Sequence, residues 1–240
     1  MAYLAALLLA VFLGGVVSGF AGFAFSAVAG AILLHFLKPM QAIPLMMLCS
    51  IVAQLISLLM MRKHIAWKES TPLMIGGFVG VPIALFLLTL IEPRAFRIAF
   101  GIVLVGYALY MLARPAVAIV RCAGTAASSA VGFAGGLVGG LTAMPGALPV
   151  IWCELRGLPK EQQRGLVQPY ILAMQIFAIA LLLVQPGAIT RDLLIVTAAA
   201  LPATIAGTFI GMALFGRVDS RRFRIVVLLL ILVSGGLMIR

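Results

Sequence analysis

Charged side chains are scarce in this sequence. Only 10% of its 240 residues are Asp, Glu, Lys or Arg, whereas 64% are hydrophobic. Soluble domains carry about 25% charged and about 45–50% apolar residues. The scarcity of charge therefore excludes a soluble globular protein and indicates an integral membrane protein with repeated apolar spans. No hydrophilic stretch is long enough for a separate soluble domain, so we expect a single transmembrane transport domain over residues 1–240.

Residues that support catalysis or bind metals are equally scarce. The chain has three Cys, two His and six acidic residues. They form no CxxC pair and no HExxH motif, and the chain contains neither a GxSxG motif nor a P-loop. The acidic residues all fall near the ends of apolar runs. We therefore expect no catalytic residue, no metal site, no disulfide frame and no cofactor, and we do not expect an enzyme.

The net charge of +11 comes from Lys and Arg residues in short loops between the apolar runs. This distribution argues against binding of nucleic acid. If each interrupted run described below is a hairpin, twelve of the 17 basic residues lie on one side, in loops 62–68, 114–121, 156–164 and 217–224. The positive-inside rule then makes that side cytoplasmic and directs both termini away from it. Single crossings would give no clear preference, so the hairpins are favoured.

Two glycine motifs interrupt the apolar runs. Residues 19–23 read GFAGF and residues 132–136 read GFAGG, while residues 143–146 (AMPG) extend the second interruption. A glycine inside a helix costs about 1 kcal/mol relative to alanine. Broken backbone at membrane depth is tolerated only where it is buried in protein or lines a cavity. Paired interruptions in two halves of a chain therefore indicate the substrate site of a carrier.

The order of apolar segments repeats along the chain. The pair Gly76 and Gly80 returns as Gly207 and Gly211, and the triplet FRI at 96–98 returns at 223–225. We predict an all-α polytopic membrane protein of two inverted repeats, residues 1–115 and 116–240. Each repeat would have a broken or re-entrant helical hairpin followed by three spanning helices, with eight to ten membrane segments in all. The predicted segments are residues 1–20, 24–37, 40–61, 71–91, 95–113, 123–153, 166–185, 193–215 and 223–239.

The polar positions near the two breaks are the candidates for substrate binding. Free helix ends present N–H groups and a positive dipole, which bind anions without a buried cation. No Asp, Glu, Lys or Arg lies clearly in mid-span, so we expect no buried charge at the site. Inversion would bring two glutamines to similar depth. The candidate residues are Gly19, Phe20, Gly22, Phe23, Ser26, Ser50, Gln54, Gly132, Phe133, Gly135, Gly136, Thr142, Pro145 and Gln175.

Each candidate also has a plainer interpretation. Ser and Thr in membrane helices often bond their own backbone, and Gln can bridge two helices without a ligand. The glycines would serve close packing, and Phe20 and Phe133 would face lipid or the core rather than a cavity. His35, close to Lys38, is expected at the membrane surface, with proton coupling as the alternative role.

Taken together, the motifs resemble those of the TauE/SafE family of sulfite and sulfonate exporters. The resemblance rests on residues 18–23, 38–42 and 64–67 in the first half, and on residues 132–136, 139–142, 156–161 and 219–223 in the second. It implies a multi-pass carrier of the bacterial cytoplasmic membrane that exports small sulfur-containing anions, such as sulfite or organosulfonates, by alternating access. A carrier for another small organic anion, such as a carboxylate, and a non-transporting accessory subunit remain alternatives.

The resemblance also sets expectations for partners and for the shape of the site. The expected partners are a small anionic substrate and the lipid bilayer, with no nucleic acid, and a homodimer is left open. The chain departs from the family at both breaks, where residues 24–26 (AFS) and 144–146 (MPG) replace the usual glycines. We expect the bulky Phe25 to shrink or reshape the cavity.

Overall fold

A computed structural model describes residues 2–61, 65–113 and 124–215, together with single residues between 225 and 239. Every regular element in these residues is a helix, which confirms the predicted all-α class. Predicted loops 114–121 and 217–224 and much of segment 223–239 lie outside the described residues. The helices are α1 (Ala2–Ala21), α2 (Phe25–Leu33), α3 (Pro39–Met60), α4 (Trp67–Leu90), α5 (Pro93–Ala113), α6 (Thr125–Thr142), α7 (Ala147–Leu155), α8 (Lys160–Val184) and α9 (Arg191–Phe215).

Six of the described helices are long and apolar enough to cross a membrane, namely α1, α3, α4, α5, α8 and α9. Their outer faces carry large apolar side chains that the protein itself does not cover, including Leu59, Phe86 and Val184. A soluble monomer rarely exposes contiguous apolar surface on this scale. The protein is therefore a multi-pass membrane protein, as its composition predicts.

The two short helices, α2 and α7, have nine residues each. At about 1.5 Å per residue, each extends roughly 13 Å, which is less than half of the hydrocarbon layer of about 30 Å. Each follows a long helix after a sharp change of direction. All residues of α2 except Ile32 are buried. Helix α2 thus lies in the interior of the protein, whereas α7 is buried on one side only, at Ala147, Pro149, Val150 and Cys153.

The first break lies where the sequence predicts it. Helix α1 ends at Ala21, and the chain turns through Gly22 (φ +82°) and Ala24 (φ +66°) into α2. The second break is shorter and later than predicted. Helix α6 continues unbroken through residues 132–136 to Thr142, and the chain turns at Ala143 (φ +56°) before α7.

Gly132 and Gly136 do not break α6; they allow another helix to pack closely against it. Helix α4 packs so closely along α6 that a Cβ at Gly132 would collide with the backbone of Leu73, and one at Gly136 with that of Gly77. Small residues at this four-residue spacing allow two membrane helices to approach at backbone distance. The motif therefore marks a helix crossing, and the prediction of a break at 132–136 is wrong.

A matching crossing joins α9 to α1. A Cβ at Gly207 or Gly211 would collide with the carbonyl groups of Phe12 and Val16, just as one at Gly76 or Gly80 would collide with those of Ser129 and Phe133. The glycine pairs that repeat in the sequence thus occupy equivalent contacts. A helix of each half packs on the first helix of the other half, so the two halves are interlocked around the two breaks.

Candidate functional site

The two breaks meet in the interior of the protein. The Ser26 hydroxyl, at the start of α2, donates a hydrogen bond of 2.7 Å to the carbonyl oxygen of Ala143, at the end of α6. A Cβ at Gly146 would lie 3.2 Å from the Cβ of Phe23. The residues on which the two interruptions depend are therefore in direct contact, although more than a hundred positions separate them in the chain.

Two buried glutamines bind the backbone of the breaks. Gln54 of α3 donates through Nε2 to the carbonyl of Gly22 at 3.2 Å. Gln175 of α8 donates through Nε2 to the carbonyl of Ala143 at 3.3 Å and to the hydroxyl of Ser50 at 2.9 Å. Each break thus has one carbonyl bound by a glutamine from a neighbouring long helix. The sequence analysis named both glutamines as candidates for substrate binding, and that role stays a prediction.

Arg164 is the main departure from the sequence analysis, which placed it in the loop 156–164. Helix α8 already begins at Lys160, and the Arg164 side chain is only 6% exposed. Its Nη2 donates to the carbonyl of Gly19 at 3.0 Å, and its guanidinium carbon lies 4.7 Å from the ring centroid of Phe215. The expectation of a site without a buried charge is therefore wrong. Without Arg164, eleven of the twelve basic residues counted above remain in the predicted cytoplasmic loops, so the predicted orientation is unchanged.

The physical reason for this departure lies in the first turn of α8. Pro159 precedes the helix in an extended conformation, and the polar residues that follow it belong to the helix. Proline is well suited to a helix start because it lacks an N–H group. A polar first turn looks like loop sequence when apolar runs are used to place a membrane span. The span therefore begins earlier than its apolar residues indicate.

Gln168 lies one turn beyond Arg164 and is 1% exposed. A Cβ at Gly22 would lie 2.8 Å from Nε of Arg164 and 3.2 Å from Nε2 of Gln168. Because Gly22 has no side chain, these two donors can approach the backbone of the first break more closely than a Cβ would allow. The sequence contains a signal for this face, because positions 164, 168 and 175 follow the i, i+4, i+11 spacing of one helix side.

Five buried side-chain atoms of this region have no hydrogen-bond partner among the described residues. They are Ser18 Oγ, Gln54 Oε1, Arg164 Nε, Gln168 Nε2 and Gln175 Oε1. Buried polar groups are normally satisfied, so a group of five exceptions needs an explanation. All five belong to α1, α3 and α8, the long helices that surround the two breaks.

The remaining candidate residues lie in α6 and at the second break, and most of them are in contact with neighbouring helices or with the break itself. The hydroxyl of Tyr170, which the sequence analysis missed, donates to the carbonyl of Gly132 at 2.7 Å and lies beside Gly135. The hydroxyl of Thr142 donates to the carbonyl of Val138 in its own helix at 2.6 Å, as the alternative without a ligand expects for a Thr in a membrane helix. Pro145 packs against Gly139, and Phe133 lies half-buried at the crossing with α4.

The aromatic side chains near the first break point away from one another. The ring of Phe20 packs edge-on against Phe215, with centroids 5.9 Å apart, and the ring of Phe23 packs edge-on against Tyr107 of α5 at 6.1 Å. Phe25 lies against Gly14 of α1. Phe25 is thus accommodated between α1 and α2, and a small residue in α1 provides the space for it.

A second polar region lies at the surface, at the turn between α2 and α3. A cavity of about 340 Å³ there is lined by residues 34–39 and by Arg94. His35 is exposed in this cavity, and its predicted position at the membrane surface stays a prediction. Lys38 and Arg94 share the cavity, in agreement with their predicted position on one side of the membrane.

The fold and the site together define a polytopic α-helical membrane protein in which two broken helical hairpins meet beside a buried guanidinium group. The family model described as Sulfite exporter TauE/SafE matches residues 7–238, and the chain belongs to this family. The resemblance seen in the sequence motifs is thereby confirmed, and with it the class of membrane transporters. Comparison with curated proteins and with solved structures finds no match.

Proposed function

We propose that the protein exports small sulfur-containing anions, of the sulfite or organosulfonate type, across the bacterial cytoplasmic membrane. The anion would bind between the two breaks, next to Gly22. The observation that carries this proposal is the position of Arg164, whose guanidinium group is buried among membrane helices and pairs with no carboxylate of the described residues.

A guanidinium group in this position favours an anionic ligand. Removing a charge from water is costly, and the cost is offset only by a counter-charge and good hydrogen bonds. The carbonyl of Gly19 and the ring of Phe215 offset part of it. An anionic oxygen at Nε would offset more, because guanidinium binds oxyanions through charge-assisted hydrogen bonds.

Two neutral donors complete the proposed subsite. Nε2 of Gln168 lies beside Gly22 together with Nε of Arg164. The backbone N–H of Gly22 bonds the carbonyl of Ser18, so the unpartnered Ser18 hydroxyl belongs to the same turn. Sulfite and sulfonate groups present three oxygens, and three donors of this kind suit them. The same set would also accept a carboxylate, which the experiment below separates.

Alternating access is the mechanism that the interlocked halves support. In our proposal, residues 1–115 and 116–240 form inverted repeats that rock against each other around the breaks. The Ser26–Ala143 hydrogen bond joins the two hairpins directly, and the ring of Phe215, which packs against Phe20, covers Arg164 from one side. Motion of one half against the other would change the side of the membrane from which the anion site is accessible.

Flux measurements in proteoliposomes test the proposal. We expect Arg164→Gln to reduce efflux of sulfite and ethanesulfonate about 30-fold or more, because it removes one partner of a buried charge pair. Arg156→Gln is the matched control, since it removes the same charge in the turn before α8. Arg164→Lys should retain part of the flux, because the point charge remains while the planar donor set is lost.

Folding is checked by size-exclusion profiles and thermal unfolding of each variant. Wild-type flux by a folded Arg164→Gln protein would contradict the proposed site. Preference for acetate over every sulfonate and sulfite would favour the carboxylate carrier. An absence of flux and of thermal shift with all of these anions would favour an accessory subunit, because a ligand that binds the folded state must stabilise it.

A further inference from the structure

Two of the five unpartnered atoms in the site are acceptors, and an anion alone does not satisfy them. They are the side-chain oxygens Oε1 of Gln54 and Gln175, and both side chains are 1% exposed. The donors near Gly22 explain why the site would attract negative charge. They do not explain why two carbonyl oxygens are buried beside it without a donor of their own.

The orientation of both amides follows from their partners. The nitrogen of Gln54 faces the carbonyl of Gly22, and the nitrogen of Gln175 faces the carbonyl of Ala143. Turning either amide over would place two carbonyl oxygens against each other, with no proton between them. Each Oε1 therefore remains an acceptor that faces away from the backbone of the break.

A chain of contacts connects these acceptors with the donors of the anion subsite. Gln54 contacts Gly22, and the side chains of Arg164 and Gln168 approach Gly22 closely. Gln175 bonds Ser50, which lies one turn from Gln54 on α3. Donors and acceptors thus occur together in the buried interior between α1, α3 and α8, and Gln54 is the acceptor that shares a contact with Gly22.

We propose that the site selects anions that also carry a hydrogen-bond donor. This inference rests on the proposed function and narrows its substrate class. The matching ligand is a small sulfonate with a hydroxyl or ammonium group, or a singly charged oxyanion that retains a proton. A site built to bond such a group rejects an analogue that lacks it, because the buried acceptors then stay unpaired.

Two sulfonates of equal charge and equal number of non-hydrogen atoms test this selection. They are 2-hydroxyethanesulfonate, which carries a donor, and 1-propanesulfonate, in which a methyl group takes its place. We expect titration calorimetry of the protein in nanodiscs to show about tenfold or tighter binding of the hydroxyl compound.

Variants then assign the preference to the two amides. Gln54→Met and Gln175→Met remove an acceptor while keeping an unbranched side chain of similar length. Each should reduce the affinity for 2-hydroxyethanesulfonate more than that for 1-propanesulfonate, so the ratio falls toward one. Gln163→Met is the matched control, because Gln163 also donates to a backbone carbonyl, that of Val150 at 3.0 Å, outside the site.

Equal binding of the two sulfonates by the wild-type protein would overturn this inference and leave the anion carrier intact. Failure of both to bind would contradict the proposed function itself. An unchanged ratio in both methionine variants would overturn the assignment to the amide oxygens. Should the variants not fold, the comparison of the two compounds on the wild-type protein still decides the selection.

Discussion

The two breaks share a backbone plan but differ in their chemistry. Each turns through a left-handed alanine, Ala24 in the first and Ala143 in the second. At the first break, a guanidinium group and a glutamine bind the carbonyls of Gly19 and Gly22. At the second, the hydroxyl of Ser26 and the amide of Gln175 share the carbonyl of Ala143.

This difference separates the requirement for a break from the requirement for a binding site. A left-handed turn frees backbone groups in either half, and neutral side chains satisfy them adequately at the second break. Among the described residues, only the first break has a guanidinium group that donates to its backbone and a glycine that lets this group approach closely. In our proposal, the first break holds the anion, and the second break joins the two hairpins.

Substitution of the break glycines should give the largest contrast. Gly22→Ala introduces a Cβ 2.8 Å from Arg164 Nε at a positive φ, whereas Gly146→Ala introduces one at a negative φ that meets the side chain of Ile171 and, at 3.2 Å, the Cβ of Phe23. We expect Gly22→Ala to weaken binding of 2-hydroxyethanesulfonate at least about tenfold and to lower the free energy of unfolding by about 1–3 kcal/mol. Calorimetry and thermal unfolding measure both effects. Equal losses in the two variants would remove the distinction between the breaks.

The shared carbonyl of Ala143 gives an intermediate effect. Ser26→Ala removes one of its two donors and should lower the free energy of unfolding by about 1 kcal/mol. Combined with Gln175→Met, the loss should exceed the sum of the single losses, because the buried carbonyl then has neither donor. Chemical unfolding in detergent micelles measures the cycle. Additive values within about 0.5 kcal/mol would show that the two donors do not act on a common acceptor.

The smallest effect tests what the breaks have in common. Ala24→Gly and Ala143→Gly should each raise the free energy of unfolding by about 0.5 kcal/mol, because glycine adopts the left-handed conformation without the strain that a Cβ causes. Ala180→Gly, on the exposed face of α8, is the control and should lower it by about 1 kcal/mol. A loss of stability at either break would show that its alanine makes a contact worth more than the strain.

The apolar runs predicted the helical class and most of the spans, and the glycine motif at residues 19–23 predicted the position of the first break closely. The same signals misplaced the second break, because glycine serves both interruption and close packing. Gly132 and Gly136 could be assigned only once α4 was seen to lie against them. Sequence analysis named Ser26, Ser50, Gln54 and Gln175. It missed Arg164, since polar residues at a helix start resemble a loop, and it did not name Gln168, although that residue lies within the predicted span 166–185.

The sequence alone determined that the chain lies in a membrane, because so few charges and so many apolar runs leave no other stable environment. It also determined where helices are difficult to continue, since backbone preference is a local property. Only the tertiary structure decided which break lies beside the guanidinium group and which donor bonds each carbonyl of the breaks. Those outcomes depend on the packing of α1, α3 and α8 against one another, and burial of a side chain is a property of that packing rather than of the residue.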